Sequence, residues 1–146
     1  MAAKTNYLEN KLIDQIFRAQ SFSFPATLYI ALFTSTPSDA GGGTEVSGGS
    51  YARVGLACSL ANWAGTQSAG STVASNGTGG TTSNNVAITF PTPTAAWGVI
   101  THFAIFDALS SGNMLFWGAL NTPKTVNNGD PAPVFSAGAL TYQEDN

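Results

Sequence analysis

The chain has 146 residues, of which 43% are apolar and only 9% are charged, against about 25% charged residues in an average soluble domain. Five basic residues are scattered among eight acidic ones, and this net charge of −3 without a basic cluster argues against nucleic acid as a ligand. Gly, Ser, Thr and Asn supply the missing polarity, which suits either a surface buried against protein partners at little desolvation cost or a neutral, turn-rich secreted β-protein.

The N-terminal region is predicted to form the one helix of the chain, over residues 6–18. Its apolar side chains follow helical spacing and comprise Leu8, Leu12, Ile13, Ile16 and Phe17. Asn6 is expected to cap the first turn, with Glu9 in the capping-box position. A helix this short is marginal alone, so its apolar face packs either on its own sheet or on a neighbouring subunit. For the second alternative, Leu8, Leu12 and Ile16 are candidate interface residues.

Residues 28–34 form a short apolar run rich in aromatic and β-branched side chains, which is typical of a strand covered on both faces. The glycine-rich loop that follows, 35–50, is a candidate contact element, with Thr44 and Glu45 as candidate interface residues. Asp39 and Glu45 could flank a calcium ion, but the residues between them lack the alternating oxygen ligands of an EF-hand. Capping of turns is the simpler role for these two carboxylates.

The next strand is predicted over residues 51–60 and contains Cys58, the only cysteine. A single cysteine excludes an intrachain disulfide, and its apolar neighbours predict a buried, inert thiol. From 61 to 85 most residues are Gly, Ser, Thr or Asn, a composition that cannot pack a core of its own. So long a connection is expected to be functional or mobile unless it hides a strand, for which 72–74 is the candidate. Trp63, within this segment, is a candidate interface residue.

The second half of the chain alternates apolar and polar residues with the period of two that strands require. Predicted strands cover 86–90, 99–107, 114–120, 124–127, 134–135 and 139–142. Within 99–107, Phe103 and Ile105 are expected on one face and Ile100 on the other. Seven or eight short strands, with no helices between them, predict an all-β fold: an antiparallel β-sandwich or jelly roll in one domain over residues 1–146.

Catalysis would have to be built around His102, the only histidine, with Asp107 as the nearest carboxylate. On a strand these two side chains point to opposite faces, and no serine lies in a nucleophile-elbow motif. The sequence therefore predicts a structural histidine and no catalytic residue, metal or cofactor. Of the tryptophans near the C-terminal half, Trp117 is assigned to the core, whereas Trp97 lies next to a loop and is a candidate interface residue.

Five segments of the chain together resemble small structural proteins of tailed-phage particles. They are YLENKL at 7–12, LYIALFT at 28–34, GGTEVSGGSYARV at 42–54, WGVITHFAIFD at 97–107 and LFWGAL at 115–120. Such proteins are often labelled tail fibre proteins, and the resemblance covers nearly the whole chain except 61–85. The resemblance includes no set of catalytic residues, and it implies a non-enzymatic virion protein that binds other subunits.

Two positions in the particle fit this resemblance. A small sandwich is similar to capsid-cementing (decoration) proteins, which would bind major capsid protein and copies of the chain itself, as a dimer or trimer. The alternative is a tail fibre or tail appendage protein that binds host-surface glycan or other tail proteins. The sequence lacks a long coiled coil, a triple β-helix repeat and a collagen period, which favours the capsid position. With neither a signal-peptide core nor a membrane span, synthesis in the host cytoplasm is expected, without membrane contact.

Overall fold

The computed structural model describes residues 2–144 of the chain. Within these residues lie one helix, α1 (Asn6–Phe17), and nine strands: β1 (Ala3–Lys4), β2 (Thr27–Phe33), β3 (Val54–Ala57), β4 (Thr81–Ser83), β5 (Ile88–Thr89), β6 (Gly98–Phe106), β7 (Met114–Val126), β8 (Val134–Phe135) and β9 (Thr141–Gln143). All strand pairs are antiparallel. The predicted all-β fold with one N-terminal helix is thereby confirmed.

A five-stranded sheet in the order β1-β7-β6-β2-β3 forms the main layer. At its centre β2 pairs with β6, so that Ile30 lies opposite Ile105 and Leu32 opposite Phe103. Two short ribbons, β4 with β9 and β5 with β8, supply the second layer. This layering agrees with the predicted β-sandwich, whereas the jelly-roll alternative stays a prediction.

The main core lies between the sheet and the two ribbons, because alternate side chains of a strand point to the same face. Its buried members include Ile30, Leu32, Leu56, Ile88, Phe90, Phe103, Ile105 and Leu140. A smaller cluster on the opposite face of the sheet contains Ala31, Phe33, Ala104, Phe106 and Met114. Since burial of a large apolar side chain contributes about 1.5–3 kcal/mol, the main core is what holds the ribbons on the sheet.

The predicted strands at 114–120 and 124–127 are one strand, β7, joined through a wide bulge. Residues 120–123 of β7 stand against the single residue Thr101 of β6. A bulge of this kind interrupts the strict alternation of side chains. Ile100 therefore packs in the main core together with Phe103 and Ile105, and its predicted assignment to the other face is wrong.

The 61–85 segment contains a strand, but not at the predicted position. Residues 72–74 form no strand, and β4 lies further along, where it can pair with β9. Asn84, fully buried just after β4, donates from its amide to the carbonyls of Val86 and Ser136, each at 2.8 Å, and accepts the Leu140 N–H at 2.9 Å. These bonds tie the end of the segment to the chain that leads into β9.

The helix α1 is capped by Thr5, not by the predicted Asn6. The Thr5 hydroxyl accepts a hydrogen bond from the Leu8 N–H at 3.5 Å and donates one to the Met114 carbonyl at 2.6 Å. The first of these bonds satisfies one of the free N–H groups of the first turn. The second fastens the start of the helix to β7.

Two side chains predicted to be buried are not. Cys58 is exposed because β3 ends at Ala57, and its thiol donates to the Pro25 carbonyl at 3.3 Å. Trp117, assigned to the core from sequence, is only half-buried, and its indole N–H donates to the Asp39 carboxylate at 3.0 Å. Both residues thus contribute to the surface of the sheet.

Candidate interaction surfaces

The apolar face of α1 is only partly covered by the protein itself. Leu8 is buried against β7 and Leu12 is half-buried. In contrast, Ile13, Ile16 and Phe17 are 51%, 68% and 79% exposed. These three side chains are neighbours on the helix surface because of their spacing, and we call them the helix ridge. From sequence, the helix is expected to pack either on its own sheet or on a neighbouring subunit. Packing on its own sheet covers only about half of the apolar face and leaves the helix ridge exposed.

A groove with apolar walls runs from α1 across the end of the sheet. Two adjoining cavities of about 200 and 360 Å³ form it, and both are lined by Leu28, Cys58, Phe116 and Tyr142. We call this the helix groove. Leu8, Leu12 and Phe24 line its near end, and Leu60 and Trp63 line its far end.

The chain that follows α1 forms the near wall of the helix groove. The Phe22 ring packs edge-on against Tyr7 of the helix, at 6.3 Å between centroids, and against Phe24 at 4.7 Å. Phe24 is nevertheless 57% exposed, and at the other end of the groove Leu60 is 56% exposed. Apolar side chains therefore stand on the rim of the groove as well as within it.

The charged side chains that line the helix groove neutralise each other. The Lys4 ammonium and the Tyr142 hydroxyl both donate hydrogen bonds to the Glu144 carboxylate. The bond from Lys4, followed by that from Tyr142, lowers the pKa of Glu144. Burial, followed by the bond to Glu144, raises the pKa of Tyr142. A partner entering the groove thus meets an internally paired set of charges.

Trp63 stands at the far end of the groove, half-buried. Its indole N–H is buried and has no hydrogen-bond partner within residues 2–144. The Trp63 backbone N–H donates to the Ser59 carbonyl at 3.0 Å, and the Asn62 side-chain amide donates to the Ala57 carbonyl of β3 at 3.0 Å. The 61–85 segment is thus fastened to the body of the protein where it lines the groove.

Glu45 is bound within the molecule. Arg53 donates two hydrogen bonds to its carboxylate, at 2.8 and 2.7 Å, and the Tyr51 hydroxyl donates a third at 2.9 Å. The Arg53 guanidinium lies 3.5 Å from the centroid of the Phe106 ring and also donates to two carbonyls of the β6–β7 turn. Burial is the main cause that raises the pKa of Tyr51. This network fixes the glycine-rich loop to the sheet, and within that loop Thr44 is exposed.

Trp97 lies in the core, where it is 5% exposed. Its indole N–H donates to the Gly49 carbonyl at 2.9 Å, and its ring packs edge-on against Tyr51 at 5.3 Å. The structure therefore places the candidate interface residues Leu8, Leu12 and Trp63 along the helix groove, with Ile16 on the helix ridge one turn beyond Leu12. It places Thr44, Glu45 and Trp97 elsewhere.

Phe24 and Leu60, on the groove rim, are not among the residues that the sequence marks as candidates. For Phe24, the alternation Ser21-Phe22-Ser23-Phe24 is a signal in the sequence. In extended chain, alternate residues point to the same side, so such a pattern can present phenylalanine side chains on the surface beside the helix. For Leu60 no such signal exists, because its exposure depends on where β3 ends.

A cleft with a volume of about 680 Å³ opens beside the β7 bulge. Phe90, Phe103 and Leu140 contribute to its apolar floor, and the exposed side chains of Asn121 and Lys124 stand on its rim. A cleft of this size and make-up falls in the range of small-ligand sites. The bulge that creates it has no evident sequence signal.

His102 lies apart from any acid–base pair. Its ring Nδ1 is 2.8 Å from the Thr101 hydroxyl, and its ring lies 6.3 Å from that of Trp117. Asp107 instead accepts the Asn113 N–H at 2.7 Å and the Asn113 side-chain amide at 2.8 Å, which closes the β6–β7 turn.

Within residues 2–144, no group of three or more His, Cys, Asp or Glu side chains is placed to hold a metal ion. None of the described helical structure has the length and apolar character needed to cross a membrane.

Comparison with known proteins gives one family. The family model described as "Podophage GP4 fiber I protein gp80" matches residues 3–143, which covers every strand from β1 to β9 and includes the 61–85 segment. None of the curated proteins matches the chain. The match confirms the resemblance to phage structural proteins. The chain therefore belongs to the Podophage GP4 fiber I protein gp80 family of phage virion structural proteins.

Proposed function

We propose that this protein is a subunit of a tail fibre and that it acts by binding other virion proteins, without catalysis. The observation that carries this proposal is the family match over residues 3–143, since the description of that family names a fibre protein of a podophage. We give this description more weight than the lack of a fibrous repeat, because compact subunits can also build a fibre by stacking.

The surface of the protein supports a binding role. A fibre subunit must bind its neighbours and the tail, and the helix ridge and helix groove offer apolar area for such contacts. The low charge of the chain keeps the desolvation cost of a large contact small. We propose copies of the chain itself, as a dimer or trimer, and other tail proteins as partners, which assemble after synthesis in the host cytoplasm. Repetition of modest contacts along a fibre gives firm attachment.

The cleft beside the β7 bulge supports a further role for such a fibre, the binding of a host-surface glycan. Its apolar floor and polar rim are the combination with which proteins hold small polar ligands. The isolated protein is then expected to bind host cells, and replacement of Asn121 and Lys124 by alanine is expected to weaken that binding. Equal binding by the variant and the unaltered protein would remove the cleft from this role.

A decoration protein bound to major capsid protein is the second candidate. It is favoured by the chain of 146 residues that lacks any fibrous period. The copy number per particle distinguishes a fibre subunit from a decoration protein. It is measured in purified particles by quantitative mass spectrometry, relative to the major capsid protein. A handful of copies supports a tail fibre, and hundreds support a place on the shell. Purified particles without the protein would refute both.

A further inference from the structure

We propose that two copies of this chain pair about a two-fold axis, with the helix ridge of each copy seated in the helix groove of the other. The inference rests on the proposed function, in which copies of the chain bind one another, and it assigns the surface that they use. The groove of each copy thus receives a mainly apolar helix face of the other copy, which ends in an aromatic side chain, Phe17.

The positions of the two elements allow such a pairing. Leu12 lines the helix groove, and Ile16 of the ridge stands one turn further along the same helix. Ridge and groove are thus adjacent parts of one surface on one chain. A single two-fold rotation brings each ridge to the other groove, which is the self-complementary arrangement of a closed dimer.

The apolar area also fits. The ridge residues, together with Phe24 and Leu60 on the rim, are between 51% and 79% exposed. With about 200 Å² for a fully exposed large apolar residue, these five side chains leave roughly 600 Å² open, at the upper limit of the largest patch on a typical monomer. A standard stable interface buries about 800 Å² on each partner. The ridge and rim, with the groove lining added, come close to that size.

The charges allow an identical partner. The region of α1 and its C-cap carries two acidic residues, Glu9 and Asp14, and two basic ones, Lys11 and Arg18, so that it is neutral overall. Asp14 and Arg18 pair with each other at 3.0 Å, and Lys4 and Glu144 pair beside the groove. Two such surfaces can therefore face each other without a net charge on either.

Replacement of Phe17 by aspartate tests the ridge. This side chain is 79% exposed, so the variant should fold normally while its charge opposes entry into an apolar groove. By sedimentation velocity over a concentration series, the unaltered protein is expected to be a dimer and Phe17→Asp to dimerise at least tenfold more weakly. Leu109→Asp is the matched control, since Leu109 is 56% exposed and lies on the β6–β7 turn. A monomeric unaltered protein, or equal dimerisation of Phe17→Asp and Leu109→Asp, would overturn the proposal.

A cross-linking experiment tests the groove, because Cys58 is the only cysteine of the chain and lines both of its cavities. In Phe17→Cys, mild oxidation at high pH is expected to give a covalent dimer. Peptide mapping is expected to show the disulfide between position 17 of one copy and Cys58 of the other. Leu109→Cys is the control and should stay uncross-linked under the same conditions. A link between the two positions 17 would instead show helix-on-helix packing and refute the seating in the groove.

These results separate the inference from the proposed function. A protein that is present in purified particles, yet monomeric and not cross-linked in solution, would refute the pairing and leave the fibre role intact. A protein that dimerises and cross-links as described but is absent from particles would refute the fibre role alone.

Discussion

Replacement of Arg53 by methionine would remove the cation that joins the glycine-rich loop to the sheet, while an apolar stem would still cover Phe106. The Arg53 side chain is only 8% exposed. It makes two hydrogen bonds to Glu45, at 2.8 and 2.7 Å, and one each to the carbonyls of Ala108 and Ser111, at 2.9 and 2.8 Å. All four bonds would be lost in the variant, and of the four acceptor atoms only Oε1 of Glu45 would keep another donor within the described part of the chain, the Tyr51 hydroxyl.

The expected loss follows from the burial of the pair. A buried charge that loses its partner costs about 3–5 kcal/mol. The Glu45 side chain is 26% exposed, so water can replace part of the lost interaction. We therefore expect a decrease of about 3 kcal/mol in the free energy of unfolding. For a protein of this size that decrease lowers Tm by about 6–12 °C.

Thermal and urea unfolding followed by tryptophan fluorescence measure this effect. Arg18→Met is the matched control, because Arg18 is 69% exposed and pairs with Asp14 on the helix surface, an interaction expected to contribute less than about 0.5 kcal/mol. Adding Glu45→Gln to Arg53→Met should recover part of the loss, since no charge is then left without its partner. If Arg53→Met unfolds at the same temperature and urea concentration as Arg18→Met, the ion pair does not stabilise the loop and the reasoning fails.

Two other predictions concern stability. Asn84→Ala removes a fully buried amide that bonds three backbone groups of neighbouring segments, and we expect a loss of about 2–4 kcal/mol in urea unfolding; an unchanged midpoint would show that these bonds are dispensable. The lowered pKa of Glu144 means that its ionised form stabilises the fold above the ordinary glutamate pKa of about 4.3, and that this contribution is lost as the pH falls through the lower pKa of the folded state. The unaltered protein should therefore be slightly more stable than Glu144→Gln at neutral pH, by less than about 1 kcal/mol because the pair with Lys4 is partly exposed, and the two should converge in acid. A gap that is independent of pH would contradict this account.

Much of the fold could be predicted from the sequence, because the strands and the helix have side chains of clear period. The run at 28–34 and the alternation at 99–107 correspond to β2 and β6, and the helical spacing at 6–18 corresponds to α1. The face of Ile100 could not be predicted. It depends on the bulge in β7, which involves residues 120–123 on the opposite strand and leaves no mark in the local pattern of β6.

The candidate surface could be predicted only in part, because exposure depends on the end of an element and on what packs against it. Leu8 and Ile16 have the same spacing on α1, yet only Leu8 reaches β7 and is buried. Cys58 has apolar neighbours in sequence but lies past the last paired residue of β3. Likewise, the role of Glu45 depends on Arg53, which is held in place by the distant Phe106 ring.

The central claim, that this family member is a fibre subunit of the virion, is tested most directly by antibody labelling of purified particles in the electron microscope. The account predicts gold label on the tail and little on the shell. Particles that bind no antibody, prepared from a lysate in which the same antibody detects the protein, would contradict it.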